Sequence, residues 1–158
     1  MLGEWCRWTG TKAFGCRALR DTKQIKVLVI ENHEAFRRQI VNHLLQKGCR
    51  VIEACEEAKA LGILRRKDVD VVLLGLHGFK TTALALLREV KEIRPACEVI
   101  LMNVSDELSL SMEAMKLGAF DDLWAPIEME TLVARVKEAY TRKKRREGHA
   151  GELADGGS

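Results

Sequence analysis

The sequence predicts a single α/β domain built on a doubly wound, five-stranded parallel sheet with helices on both faces. Two observations lead to this prediction. From residue 25 to about residue 142, short runs rich in Val, Ile and Leu alternate with longer segments of helical periodicity, and this alternation occurs five times. Because neighbouring parallel strands need a crossover connection, each helix is expected to return the chain to the same end of the sheet.

The first half of the predicted domain begins and ends on strands. These strands are almost continuous in apolar residues, as expected for strands that are covered on both faces. In the first helix Phe36, Ile40 and Leu44 are spaced to lie on one face, and Gly48 stands where helices commonly end. The predicted order is strand 25–30, helix 35–46, strand 50–54, helix 57–66 and strand 69–74.

The second half continues the same alternation. Arg94 is followed by Pro95, and the residue before a proline is biased away from helical geometry, so the third helix is expected to end there. Gly118 ends the fourth helix, and Leu132 and Val136 mark the buried side of the last one. The predicted order is helix 82–93, strand 98–102, helix 107–117, strand 120–124 and a helix from 129 to about 142.

Composition excludes several classes of protein. The 158 residues are 47% hydrophobic and 31% charged, which is typical of one globular domain. No apolar run approaches the ~18 to 20 residues that a membrane span needs, and no signal peptide opens the chain, so we expect a cytoplasmic protein without a membrane partner. The five cysteines are an odd number without a Cys-x-x-Cys spacing, which argues against a disulfide framework and a zinc site.

The basic excess of the chain lies in its two ends. The net charge is +3, yet residues 25–140 carry a small acidic excess, so the domain itself is not expected to bind nucleic acid. The run 142–146 is either the solvated end of a helix, where cations suit the dipole, or a patch for nucleic acid or anionic membrane. The predicted organisation is an irregular or partly docked extension over 1–24, a globular domain over 25–141, and a basic and then flexible tail over 142–158.

The carboxyl ends of the predicted strands define the expected site. In open parallel sheets the working crevice lies at that edge. The residues that follow or end the strands there are Glu31, Asn32, Gly75, Asn103 and Ala125.

With these strand ends, residues 25–140 resemble the receiver domain of bacterial two-component response regulators. The resemblance implies a flavodoxin-like fold of the receiver type, with strand order 2-1-3-4-5. It rests on four segments: KVLVIENHE at 26–34, DVVLL at 70–74, EAMKLGAFD at 113–121 and LWAP at 123–126.

The resemblance also implies where phosphotransfer chemistry would lie. Receivers accept a phosphoryl group from a histidine kinase on an aspartate, with Mg²⁺ held by that aspartate and an acidic pair, and with a hydroxyl and a lysine nearby. We expect a degenerate receiver that is not an enzyme and binds neither Mg²⁺ nor another cofactor. The matching positions here hold Glu31 and Asn32 for the acidic pair, Gly75 for the aspartate, Asn103 for the hydroxyl, Ala125 for the lysine and Asp122 for the switch aromatic.

The leading functional hypothesis is a stand-alone binding module that acts in two-component signalling without phosphorylation. Expected partners are a histidine kinase, another response regulator, an output protein or a second copy of this chain. Two alternatives stay open: a phosphorelay acceptor at Asp106 or Asp121, and a nucleic-acid-associated regulator that uses 142–146. The expected interaction face lies on the fourth helix, fifth strand and fifth helix and comprises Ser109, Met112, Glu113, Asp122, Trp124, Glu128 and Met129.

Overall fold

The computed structural model describes residues 24–76, 79, 82–103 and 108–155, with side chains described up to residue 151. Within these residues five parallel strands form one sheet in the order β2-β1-β3-β4-β5. This result confirms the predicted fold and strand order. The strands are β1 (Lys26–Ile30), β2 (Arg50–Ala54), β3 (Val71–Gly75), β4 (Glu98–Asn103) and β5 (Asp121–Trp124).

The helices cover the two faces of the sheet. Buried side chains of the second, third and fourth helices belong to one apolar cluster, and those of the first and fifth helices belong to a second cluster on the opposite face. The helices are α1 (Glu34–Gln46), α2 (Glu57–Arg66), α3 (Ala83–Ile93), α4 (Leu108–Lys116) and α5 (Met129–Asp155).

The central strand β3 shows why the sequence folds as a covered sheet. All five of its residues are buried. Val72 and Leu74 contribute to one apolar cluster, and Val71 and Leu73 contribute to the other, because successive side chains of a strand point to opposite faces. A nearly continuous apolar run is therefore required at this position.

The end of α5 differs from the prediction. The helix was expected to end near residue 142 and to give way to a flexible tail from residue 147, but it continues to Asp155, so the predicted boundary between residues 141 and 142 lies inside it. The physical reason is that Lys143 is buried and paired with Asp70, so the helix still packs on the domain at that point. The other predicted boundaries differ by at most two residues.

Several expectations fall outside the described residues. They concern the extension over 1–23, whose partial docking stays a prediction, and the last three residues. No described helix combines the length and the apolar character that crossing a membrane would require.

Candidate functional site

The predicted strand-end residues meet along one edge of the sheet. Because β1, β3, β4 and β5 are consecutive neighbours, the residues at their carboxyl ends form a row. Glu31 follows β1, Gly75 ends β3, Asn103 ends β4 and Ala125 follows β5, while Asn32 is exposed in the loop that leads to α1. The structure thus brings four of the five predicted residues together.

Glu31 is held in a buried position at this edge. The residue is 1% exposed, and its Oε1 accepts a hydrogen bond of 2.8 Å from the backbone N–H of His33. Its own backbone N–H donates to the carbonyl of Ala54 at 3.1 Å, and its carbonyl accepts from Nη1 of Arg37 at 2.9 Å. Main chain and side chain are therefore both fixed, and the carboxylate points into the protein.

The absence of a side chain at Gly75 makes room for this carboxylate. A Cβ atom placed on Gly75 would overlap Oε2 of Glu31 and would lie 2.8 Å from its Cδ. The carbonyl oxygen of Ile30 would be 3.4 Å away, so the space is also bounded by main chain. The Glu31 carboxylate thus occupies the volume that any side chain at position 75 would need.

The remaining strand ends are neutral. Asn103 is completely buried, and its Nδ2 donates to Oγ of Ser111 at 3.3 Å, which ties the end of β4 to α4. The Asn103 carbonyl accepts from the backbone N–H of Ala125 at 2.8 Å. Ala125 is exposed and precedes Pro126 through a cis peptide bond. Its methyl group offers no charge and no hydrogen-bond donor.

Across the described residues there is no grouping of three or more His, Cys, Asp or Glu side chains that could hold a metal ion.

The predicted interaction face is largely accessible. It extends over α4, β5 and the start of α5, with Met112 53% and Trp124 38% exposed. Of the seven predicted residues, Ser109, Met112, Glu113, Trp124 and Glu128 are exposed, and Asp122 and Met129 are partly buried.

Two residues that sequence reasoning missed extend this face. Leu108 and Met115 are 63% and 44% exposed and, with Met112, form an apolar stripe along α4. Their spacing of i, i+4 and i+7 was the available signal. Within the part of the chain that the structure describes, these three residues and Trp124 are the large apolar side chains with high exposure.

Asp121 and Asp122 have different surroundings on β5. Asp121 is the first residue of the strand and therefore lies three residues before its carboxyl end. Its Oδ2 is 3.0 Å from Nε of Arg135, with which it forms an ion pair. Oδ1 of Asp122 is buried and accepts no hydrogen bond from the described residues. Asp106, the other alternative acceptor, lies outside those residues.

Comparison with known proteins identifies the class to which this fold and this edge belong. The family model described as response regulator receiver domain matches residues 27–137. The chain therefore belongs to the response regulator receiver domain family of two-component signalling.

Relatives and solved structures agree with this family. The chain is similar to a putative NtrX-like response regulator of Rickettsia felis, with 30% identity over 126 residues, covering 77% of this chain and 26% of that protein. It thus spans about a quarter of the length of that relative.

Two solved structures illustrate the shared fold. A response regulator receiver domain protein from Clostridium thermocellum is 30% identical, with a TM-score of 0.71 over 76% of this chain and 97% of that one. A response regulator from Burkholderia pseudomallei, whose structure has a phosphorylated aspartic acid, a calcium ion and citrate, is 20% identical, with a TM-score of 0.68 over 78% of this chain and 73% of that one.

Proposed function

We propose that this receiver is degenerate and acts as a protein-interaction module whose binding does not depend on phosphorylation. The observation that carries the proposal is the position of Glu31, whose carboxylate fills the space that a phosphoacceptor side chain at position 75 would occupy. The module is expected to work in the cytoplasm and to have no catalytic activity of its own.

The chemistry of the strand ends supports this proposal. Phosphotransfer needs a nucleophile that can approach phosphorus and cations that stabilise the developing charge. Gly75 offers no nucleophilic side chain, and the methyl group of Ala125 cannot neutralise a phosphoryl oxygen. The nearby Glu31 carboxylate is 1% exposed and turned inward, so it is poorly placed for attack on a phosphodonor.

The same residues do not fit Mg²⁺. This ion prefers several hard oxygen ligands in octahedral geometry, usually with more than one negative charge. Oε1 of Glu31 already accepts a hydrogen bond from the backbone of His33, and Oε2 packs against Gly75. The adjacent Asn32 is an exposed neutral amide. We therefore propose that the module acts without a metal ion at this edge.

The proposed binding surface is the face on α4, β5 and the start of α5. Trp is common among the residues that dominate the energetics of protein interfaces, and Met is frequent at binding surfaces. Met112, Met115 and Trp124 are exposed on this face. The hydrogen bond from Asn103 to Ser111 holds α4 in place without a phosphoryl group. Candidate partners are a histidine kinase, another response regulator, an output protein or a second copy of this chain.

The test compares capture by a face variant with capture by a control variant. Immobilised wild-type protein is incubated with extract of its source cells, with and without acetyl phosphate and Mg²⁺. Sedimentation of the purified protein separately tests whether two copies of the chain associate. We expect the same partner under both conditions and at least a tenfold loss of recovery for the double variant Met112→Ser, Trp124→Ala, a change of ~1.4 kcal/mol or more. The matched control Arg65→Ser changes an exposed residue of α2 and should bind like wild type.

Two outcomes would contradict the proposal. Binding that appears only with the phosphodonor would show that phosphorylation is required after all. Equal recovery with the face variant and with wild type would show that the partner uses a different surface.

The alternative acceptor Asp121 is less well supported. Its carboxylate is paired with Arg135, and it stands at the start of β5 instead of at the edge where the strand ends converge. A phosphoryl group placed there would have to displace this ion pair.

A further inference from the structure

The apolar stripe of α4 is the feature of the described surface that most needs a covering group. Leu108, Met112 and Met115 are exposed along this helix, and Trp124 is exposed on the neighbouring strand β5. Among the described residues no other large apolar side chain has comparable exposure. Exposed apolar side chains that are grouped in this way mark a binding surface, because leaving them in water is unfavourable.

The surroundings of the stripe are acidic. Residues 108–131 include five acidic residues and one basic residue, Lys116. Glu113 and Glu128 are exposed, and Asp122 is partly buried. The other two acidic residues form ion pairs with cations elsewhere in the domain. A ligand that fits this surface therefore combines apolar or aromatic groups with positive charge.

The sequence that precedes the described part of the chain has this composition. Residues 1–23 contain five basic and two acidic residues together with three aromatic ones, Trp5, Trp8 and Phe14. Arg7 stands between the two tryptophans, so aromatic and basic groups are interleaved. Tryptophan is frequent among the residues that dominate interface energetics, because its ring buries a large area. Residues 1–23 thus carry both kinds of group that the stripe requires.

The same residues join the domain at the edge of the sheet where α4 ends. Because the strands are parallel, β1 and β5 begin at this edge, and α4 ends at Lys116 shortly before β5 begins. Two strands separate β1 from β5, which places them roughly 15 Å apart at ~4.8 Å between neighbouring strands. Residues 15–23 span about 30 Å when fully extended. This length is sufficient to bring Phe14 and the two tryptophans to the stripe.

We propose that residues 1–23 cover the apolar stripe of α4 through Trp5 and Trp8 and compete there with the protein partner. The competition rests on the proposed function, whereas the covering of the stripe does not. A short tether gives an effective concentration of about 1 mM, so an intrinsic dissociation constant of about 0.1 mM covers the stripe in about nine molecules of ten. The partner then binds about tenfold more weakly, since only the uncovered fraction is competent.

Oxidation of methionine measures whether the stripe is covered. The purified full chain is treated with dilute hydrogen peroxide, and peptide mapping gives the rates at which Met112 and Met115 become sulfoxides. Met102 lies in β4 and is 1% exposed, so its slow oxidation serves as the internal reference for an intact sheet.

Two variants of the full chain are compared with wild type. Trp5→Ser, Trp8→Ser removes the aromatic groups that are proposed to cover the stripe. The matched control Thr9→Ser, Thr11→Ser changes two neighbouring residues and keeps every aromatic and charged one. All four positions precede β1, so the sheet and its helices keep all their residues.

We expect Met112 and Met115 to be oxidised at least about fivefold faster in the tryptophan variant than in wild type. Complete uncovering from the occupancy given above sets the limit at about tenfold. Met102 should stay slow in every protein, and the threonine control should behave like wild type. In the capture experiment the tryptophan variant should recover more partner than wild type does.

Equal oxidation of Met112 and Met115 in wild type and in the tryptophan variant overturns the proposal. Fast rates in both would show an uncovered stripe, and slow rates in both would show that another group covers it. Protection of the wild type that disappears on dilution would identify a second copy of the chain as the occupant and would also overturn it.

The outcome can be told apart from that of the proposed function, because oxidation of the purified protein requires no partner. Faster oxidation in the tryptophan variant, with equal capture by wild type and by Met112→Ser, Trp124→Ala, supports the covering and rejects the partner surface. Unchanged oxidation with capture that is lost in Met112→Ser, Trp124→Ala rejects the covering and keeps the partner surface.

Discussion

Replacing Gly75 by Ala should have opposite effects on stability with and without the Glu31 carboxylate. In the wild-type protein the new methyl group would overlap Oε2 of Glu31, so the carboxylate would have to leave its buried position. The backbone of Gly75 does not have a positive φ, so alanine is compatible with the main chain. In a Glu31→Ala background the obstruction is absent.

The magnitudes follow from the contacts that change. Displacing Glu31 breaks its 2.8 Å hydrogen bond from the His33 N–H. Hydrogen bonds to charged groups contribute ~1.5 to 3 kcal/mol, whereas a compatible Gly-to-Ala change stabilises by ~0.4 to 1 kcal/mol through the unfolded chain. Gly75→Ala should therefore lower the free energy of unfolding by about 1 to 2 kcal/mol in the wild type and raise it by about 0.4 to 1 kcal/mol in Glu31→Ala.

The assay is urea unfolding of the wild type, both single variants and the double variant, analysed as a double-mutant cycle. Gly62→Ala is the matched control, since a Cβ atom there meets nothing within 4 Å. It should stabilise the protein equally in both backgrounds. If Gly75→Ala destabilised the Glu31→Ala protein as much as the wild type, the carboxylate would not be what fills the space at position 75.

Three further predictions concern other parts of the domain. Burial raises the pKa of the Cys97 thiol to about 12. Iodoacetamide near neutral pH should therefore modify the exposed Cys55 well before the buried Cys97. Peptide mapping measures the two rates, and equal rates would contradict this order. Burial lowers the pKa of Lys143, but its hydrogen bond to the Asp70 carboxylate and the nearby charges outweigh burial and raise the pKa above 10.5. The charged Lys143 side chain should therefore stabilise the folded protein fully below pH 10.5, and this contribution should be lost as the pH rises through the folded-state pKa. The difference in free energy of unfolding between wild type and Lys143→Met should accordingly become smaller at high pH, and a difference that grows would contradict this prediction. Asn103→Ala loses a buried hydrogen bond to α4 and should cost ~1 to 3 kcal/mol in thermal or urea unfolding, whereas the exposed Asn32→Ala should change stability by less than ~0.5 kcal/mol.

The fold could be predicted because the sequence clearly shows both short apolar runs for the strands and a helical spacing of apolar residues between them. The four residues of β3 before Gly75 are all apolar, which is typical of a strand that is covered on both faces. The strand order depended on the resemblance to the receiver family. Periodicity alone does not tell which strands are neighbours.

The candidate site was only partly predictable. The sequence indicates that Gly75 stands where the family has a carboxylate, but it cannot show that the Glu31 side chain enters the vacated space, because this depends on the adjacency of β1 and β3 and on a rotamer. The burial of Lys143 against Asp70 was missed for a related reason. Lys143 and Asp70 are 73 positions apart, and a run of cations resembles a solvated helix end when its partners are distant in sequence.

The apolar stripe of α4 shows a different limit. Leu108, Met112 and Met115 have the spacing of a buried helical face, and an apolar period does not distinguish a core face from an exposed one. The structure places these side chains on the outside, where they become candidates for binding.

The most direct test of the central claim is the intact mass of the protein after incubation with acetyl phosphate and Mg²⁺. A receiver that carries a phosphoacceptor aspartate serves as the positive control under the same conditions. We predict no added phosphoryl group on the wild-type chain. A stoichiometric mass increase of one phosphoryl group that is sensitive to hydroxylamine and absent from Glu31→Gln would contradict the account, because it would show that the carboxylate beside Gly75 accepts phosphate.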